Sequence, residues 1–164
     1  MAQATLEAGR IARVLGGEKA LGVKSFTPLE LEQCERSGFP TAVVKVLLEH
    51  SVVGPKEMYG WIIARRTFAH RVKKRQRLSV EESNRIARVA RAYALAVEML
   101  GDEEKARRWL RKPMRRFAGR SPVKLPVFPG PDPLYAHGLA AAFAGRPGVS
   151  PLRRAQCPKS GWRA

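Results

Sequence analysis

Apolar residues recur three and four positions apart through most of the first 125 residues, and glycine or proline interrupts them at short intervals. That pattern predicts a series of short helices rather than strands. Thr5 is expected to cap a first helix that ends at Gly16-Gly17. Thr27-Pro28-Leu29-Glu30 marks a second start: a capping threonine, proline at the first helical position and a glutamate placed to reach back to the cap. This helix should stop at Ser37-Gly38, and Pro40 should open another whose apolar stripe is Val43, Val44, Leu47 and Leu48. Gly54-Pro55 then breaks the chain before a helix holding Met58, Trp61 and Ile62, and a further helix begins near Arg65 or Arg66.

Ser79-Val80-Glu81-Glu82 repeats the capping-box pattern and starts the longest helix. Ile86, Val89, Tyr93, Val97 and Leu100 form its apolar side, with Ala90 and Ala94 beside them; Arg85, Arg88 and Arg91 take the opposite side. Gly101 ends it, and Asp102 caps a short helix from Glu103 to Arg111 that should bury Ala106, Trp109 and Leu110 before Lys112-Pro113 stops it. The two helices and the loop that follows predict a helical hairpin, with Trp109, Phe117 and Leu125 as candidate core. Beyond Leu125 the periodicity vanishes, and a tail rich in Pro, Gly, Ala and Arg is expected to be largely disordered. The fold class is therefore all-α.

Charge narrows the function. With 31 Lys and Arg against 14 Asp and Glu, the chain carries a net charge of +17. Such a protein repels itself and attracts polyanions, so nucleic acid, an anionic membrane or a strongly acidic protein is the expected partner class. No run approaches the ~18 apolar residues of a membrane span, and Glu7 with two arginines occupies the place of a secretory apolar region, so no export signal is expected and the compartment is the cytoplasm. Cys34 and Cys157 are too few and too far apart for a disulfide framework. His50, His70 and His137 show no metal-ligand spacing and no nucleophile–base–acid pattern; neither a phosphate-binding glycine loop nor a cofactor motif is present, so an enzyme is not expected.

The basic segment Ile63–Ser83 carries the sharpest signal. Helix, short break and helix between Gly54 and Gln76 fit a helix-turn-helix, whose second helix enters the major groove with its first turn at the base edges. Arg65, Arg66 and Thr67 occupy that turn; either arginine suits guanine O6 and N7. His70, Arg71, Lys73, Lys74 and Arg75 follow as candidate phosphate contacts, and Phe68 with Val72 would be the inward face. About five neutralised phosphates would give log K a slope near −4 to −5 against log[salt]. The competing reading is a solvated basic helix face. No strand pattern studded with aromatics for RNA base stacking is present. The loop Lys112–Leu125, with Arg115, Arg116 and Arg120, is a second candidate surface, for a protein partner.

Four blocks resemble the Xre/MbcA/ParS antitoxins of bacterial toxin–antitoxin pairs: LGGEKALG, the SGFP turn, WIIARRTFAHR with LSVEESNRIARVARAYALAVEMLGD behind it, and EEKARRWLRKPMRRFAGRSP. The likeness covers roughly residues 11 to 125. It implies an Xre-like DNA-binding region over residues 1–77, a toxin-binding domain over 78–125 and a separate tail over 126–164. It further implies a homodimer that binds double-stranded operator DNA and represses its own promoter. The protein partner it implies is a RES-domain toxin that depletes NAD, with the antitoxin covering the toxin's active site and needing no cofactor. Carried onto this chain, Arg65, Arg66, Thr67, His70 and Arg71 fall in the recognition helix. Trp109, Leu110, Arg111, Pro113, Gly119, Arg120, Ser121 and Pro122 match the toxin-binding motif.

Met114-Arg115-Arg116-Phe117 departs from the family pattern, which has an asparagine and less basic residues there. The tail after Leu125 replaces an expected acidic stretch and last helix, a composition that a frameshift in a GC-rich gene would yield. Two other functional classes stay open: a stand-alone helix-turn-helix regulator, and a basic structural protein bound to nucleic acid without sequence preference.

Overall fold

The computed structural model describes residues 2–117 and 119–124, and among them every regular element is helical. The expected disorder of residues 126–164, and the core role of Leu125, lie outside the described residues. In chain order the elements are α1 (Ala2–Val14), α2 (Gly17–Leu21), α3 (Pro28–Ser37), α4 (Ala42–Glu49), α5 (Pro55–Glu57, continuing as a π-helical turn Met58–Ile62), α6 (Arg65–Lys73), α7 (Val80–Leu100) and α8 (Glu103–Arg111). Two 3-10 turns, Arg115–Phe117 and Pro122–Lys124, close the loop after α8.

Local chemistry sets most of the boundaries. At α3 the Thr27 N–H donates to Glu30 at 2.9 Å while the Glu30 N–H donates to the Thr27 hydroxyl at 3.3 Å. The Ser79/Glu82 pair does the same for α7 at 2.7 and 3.2 Å, and the Lys105 N–H finds the Asp102 carboxylate at 2.7 Å. Each arrangement satisfies backbone donors that a helix start leaves without partners. Gly101 ends α7 with φ +65°, its N–H returning to the Val97 carbonyl at 2.8 Å.

Three expectations need correction. The first helix begins at Ala2, so Thr5 lies inside it rather than capping it; Ala-Gln-Ala ahead of Thr5 are good helix formers and extend the helix backwards. The segment expected as a plain helix around Met58 widens into a π-turn, with the Ile63 N–H donating five residues back to Met58 at 3.0 Å. That geometry buries Met58 and Ile62 and leaves Trp61 39% exposed. Most consequential, α7 is not simply amphipathic. Ser83, Ala87, Ala92 and Ala96 are buried along with Ile86, Val89 and Tyr93, because α1 and α3 pack on one side of it and α8 on another. Small alanines allow that close approach on several faces.

The core sits around α7, with Leu15, Phe39, Leu47, Met58, Ile86 and Leu110 fully buried. The turn at Gly38-Phe39 locks onto the start of α7. The Phe39 N–H donates to the Ser83 hydroxyl at 2.8 Å, and the Phe39 carbonyl accepts from Leu78 at 2.9 Å. Arg77 adds a bond to the Gly38 carbonyl at 2.9 Å. Gly38 has φ +81°, and a Cβ there would sit 2.0 Å from the Leu78 carbonyl oxygen, so only glycine fits. This clasp fixes the direction in which α6 leaves and α7 enters the body. Among the described residues no helix is long and apolar enough to cross a membrane.

Candidate nucleic-acid interface and adjoining partner surface

The cationic segment forms α6, held away from the core. It contains no fully buried residue. Phe68 is its one half-buried apolar anchor, tilted against Tyr59 with ring centroids 6.1 Å apart. Val72, expected beside Phe68 on the inward face, is 37% exposed, so the helix is seated by one ring rather than by a stripe.

The seven residues expected to contact DNA separate into two groups. Arg65, Arg66, Thr67, His70, Lys73 and Lys74 are all exposed. At about 100° per residue, Arg66, His70 and Lys73 share one helix face, with Thr67 and Lys74 at its margin. Arg65 points off that face, and its guanidinium carbon lies 5.9 Å from the Tyr59 ring centroid. Arg71 behaves differently. It is half-buried, pairs with Glu82 at 3.3 Å and donates to the Arg77 carbonyl at 3.0 Å. Of the seven it is the one tied into the body, and its charge is already matched.

The helix ends through Arg75, a non-glycine residue at φ +52°, with the Gln76 N–H returning to Arg71 at 2.9 Å. Glu57 is the single acid between Gly54 and Ser79, and it is occupied in accepting the Gly54 N–H at 2.8 Å. An uncompensated cationic face on a protruding helix, preceded by a short helix and a turn, has the shape and charge that a major groove accepts.

The second candidate surface grows from α8. Trp109 and Leu110 are buried, as are Ser121 and Pro122 of the loop that follows. The loop closes on itself: Met114 donates to Arg120 at 3.1 Å and Gly119 to Met114 at 3.0 Å. Of the eight motif residues, Arg111, Pro113, Gly119 and Arg120 therefore reach the surface, and the other four shape what lies under it. Arg111 also fastens the two halves of the molecule. It donates to the Ser51 carbonyl at 2.9 Å and lies 3.6 Å from Glu57, while Arg107 donates to the His50 carbonyl at 3.0 Å. Cations at the C-terminal end of α4 meet the negative end of the helix dipole there.

Two features were missed by sequence reasoning. One is the anchoring of Arg71. The other is Trp61, whose ring lies 4.8 Å beneath the Lys124 ammonium. Neither leaves a local signal: Arg71 reaches across the α6–α7 turn to Arg77 and Glu82, and Lys124 comes to Trp61 from a distant segment. Among the described residues no cluster of three or more His, Cys, Asp or Glu could hold a metal; His50 ends α4, His70 lies on the exposed face of α6, and His137 lies outside the described residues.

Comparison with known proteins bears on both surfaces. Residues 30–91 match the family model of the antitoxin Xre-like helix-turn-helix domain, and residues 95–125 match that of the antitoxin Xre/MbcA/ParS C-terminal toxin-binding domain. The boundary between the two matches falls inside α7, which both halves share. A protein named antitoxin Xre from Pseudomonas putida is 39% identical over 88 residues, 54% of this chain and 55% of that protein. Another antitoxin Xre, from Photorhabdus laumondii, is 27% identical over 109 residues, 65% of this chain and 74% of that protein. The chain thus spans about half the length of the first of these relatives.

Proposed function

Because the chain belongs to the Xre/MbcA/ParS antitoxin family, with both domain models matched in order, we propose that it is the antitoxin of a toxin–antitoxin pair. On this reading α6 binds the operator of its own operon and the loop after α8 docks on a toxin encoded alongside. The observation that carries the DNA half is the exposed row of Arg66, His70 and Lys73 on a helix with no acid of its own. Arg66, in the first turn, reads a guanine through O6 and N7, and the remaining cations hold phosphates. Arg65, stacked on Tyr59, is placed for the backbone rather than the bases.

The protein half rests on the match over residues 95–125 and on the rigid, self-bonded loop that presents Pro113, Gly119 and Arg120. The partner proposed is a RES-domain toxin that depletes NAD, neutralised when this surface covers its active site. The antitoxin acts in the cytoplasm as a homodimer, whose two copies of α6 would meet half-sites about one helical turn, ~34 Å, apart. It performs no catalysis of its own.

Co-expression with the adjacent gene tests the proposal. Growth arrest by that gene alone, relieved when this chain is supplied, together with binding to the DNA upstream of the pair, is the expected result. Specific promoter binding without relief would instead make the protein a stand-alone regulator.

A further inference from the structure

The turn leading into α6 and the loop after α8, far apart in sequence, share one shallow depression of about 550 Å³, lined by Trp61, Arg85, Arg120 and Lys124. Trp61 forms the floor, 39% exposed, with the Lys124 ammonium 4.8 Å over its ring. Arg85 reaches across from α7 and donates to the Trp61 carbonyl at 3.0 Å, which steadies the floor from below. Glu81 is paired with Arg85 one helical turn away, so Arg120 and Lys124 remain as exposed cations at the rim.

From this juxtaposition we propose that Arg120 and Lys124, which lie in the segment matched to the toxin-binding domain, are a second phosphate clamp for DNA. They would hold the backbone that flanks the groove entered by α6. The inference rests on the reading of α6 as the recognition helix. Its physical argument is placement. Trp61 stands four residues before Arg65, across the extended turn at Ile63-Ala64, so the depression adjoins the entry to α6. In a helix-turn-helix the helix ahead of the recognition helix crosses the sugar–phosphate backbone. Two cations gathered there on an aromatic floor, with Glu81 already paired to Arg85, match a run of phosphodiesters. An acidic protein segment is the competing occupant. It is the weaker fit, because the floor of the depression, Trp61, lies in the turn that leads directly into the cationic α6. A consequence is that DNA and the protein partner draw on overlapping residues, Arg120 in particular.

The test is a salt titration of binding to a duplex from the chain's own upstream region, using the full chain and the double variant Arg120→Gln/Lys124→Gln. Both side chains are exposed, so the fold should survive, and an unchanged Tm checks this. Each lost phosphate contact removes about 0.9 from the slope of log K against log[salt]. The variant should therefore be shallower by nearly 2, with its preference for the operator over a scrambled duplex unchanged. An unaltered slope overturns the proposal, and loss of partner binding at an unaltered slope assigns the depression to the protein partner. A wild-type chain that binds no duplex sinks the reading of α6 as well, which separates the two failures.

Discussion

The Arg71 guanidinium lies 3.3 Å from the Glu82 carboxylate, and that same carboxylate accepts the Ser79 N–H at 2.7 Å to start α7. One acid thus anchors α6 and caps the helix at the centre of the core. The orientation of α6 is set by an ion pair at its C-terminal half and by Phe68 alone among its apolar residues.

Arg71→Ala should consequently behave as a structural change. We expect a loss of about 1–2 kcal/mol in unfolding free energy, with Glu82 left without its cation. DNA affinity should weaken equally for operator and scrambled duplexes, because no base contact is removed. Urea unfolding and paired binding titrations check this; a selective loss of operator preference at unchanged stability would contradict it.

Gly38→Ala should be among the most damaging small substitutions. The backbone is at φ +81° and the new methyl would meet the Leu78 carbonyl at 2.0 Å, so the clasp between the Phe39 turn and α7 must open. The expected cost is about 3 kcal/mol or more, combining backbone strain and a lost buried hydrogen bond at Ser83. A thermal midpoint within a degree or two of wild type would rule this out.

The capping signals of α3, α7 and α8 were legible because a cap is local chemistry: Thr27 with Glu30, Ser79 with Glu82 and Asp102 ahead of Glu103 sit within one turn of sequence. So was the start of α6 at Arg65. The burial of Ala87, Ala92 and Ala96 was not, since alanine has the same sequence signal on a packed face as on a wet one. Nor do the arginines of α6 differ from one another until Glu82 and Tyr59 are folded beside them. The sequence places Trp61 in a helix with Met58 and Ile62; the π-turn buries those two and leaves Trp61 at the surface.

Glu35 supplies a pH dependence. It is buried against α7 and paired with Arg91, and burial holds its carboxyl above the ordinary value of 4.5, with the Arg91 charge opposing. Below that value the group is protonated in both folded and unfolded chains and its contribution to stability is complete. As pH rises through the raised folded value, a charge is forced into the site and that contribution is lost. Glu35→Gln should therefore lose less stability than wild type as pH rises above the ordinary value of 4.5. Half-buried Glu30 and exposed Asp102, both shifted downward chiefly by backbone hydrogen bonds, act in the opposite sense but are common to the two proteins. Equal pH profiles would refute the assignment.

Asp102→Ala removes the side-chain cap of α8 and should lower its stability. The helix carries the buried Trp109 and Leu110 and leads into the partner loop, so the affinity for the protein partner should fall while operator binding is kept. Parallel loss of both would show that the cap matters to the whole body.

The most direct measurement of the two-surface account titrates Arg66→Ala against operator DNA and against the product of the adjacent gene. We predict a loss of ~1–3 kcal/mol for the operator, about 5- to 150-fold in affinity, with preference relaxed at one base pair. Affinity for the protein partner should match wild type. An equal fall in both affinities, from a variant that still folds, would contradict the division of labour between α6 and the loop after α8.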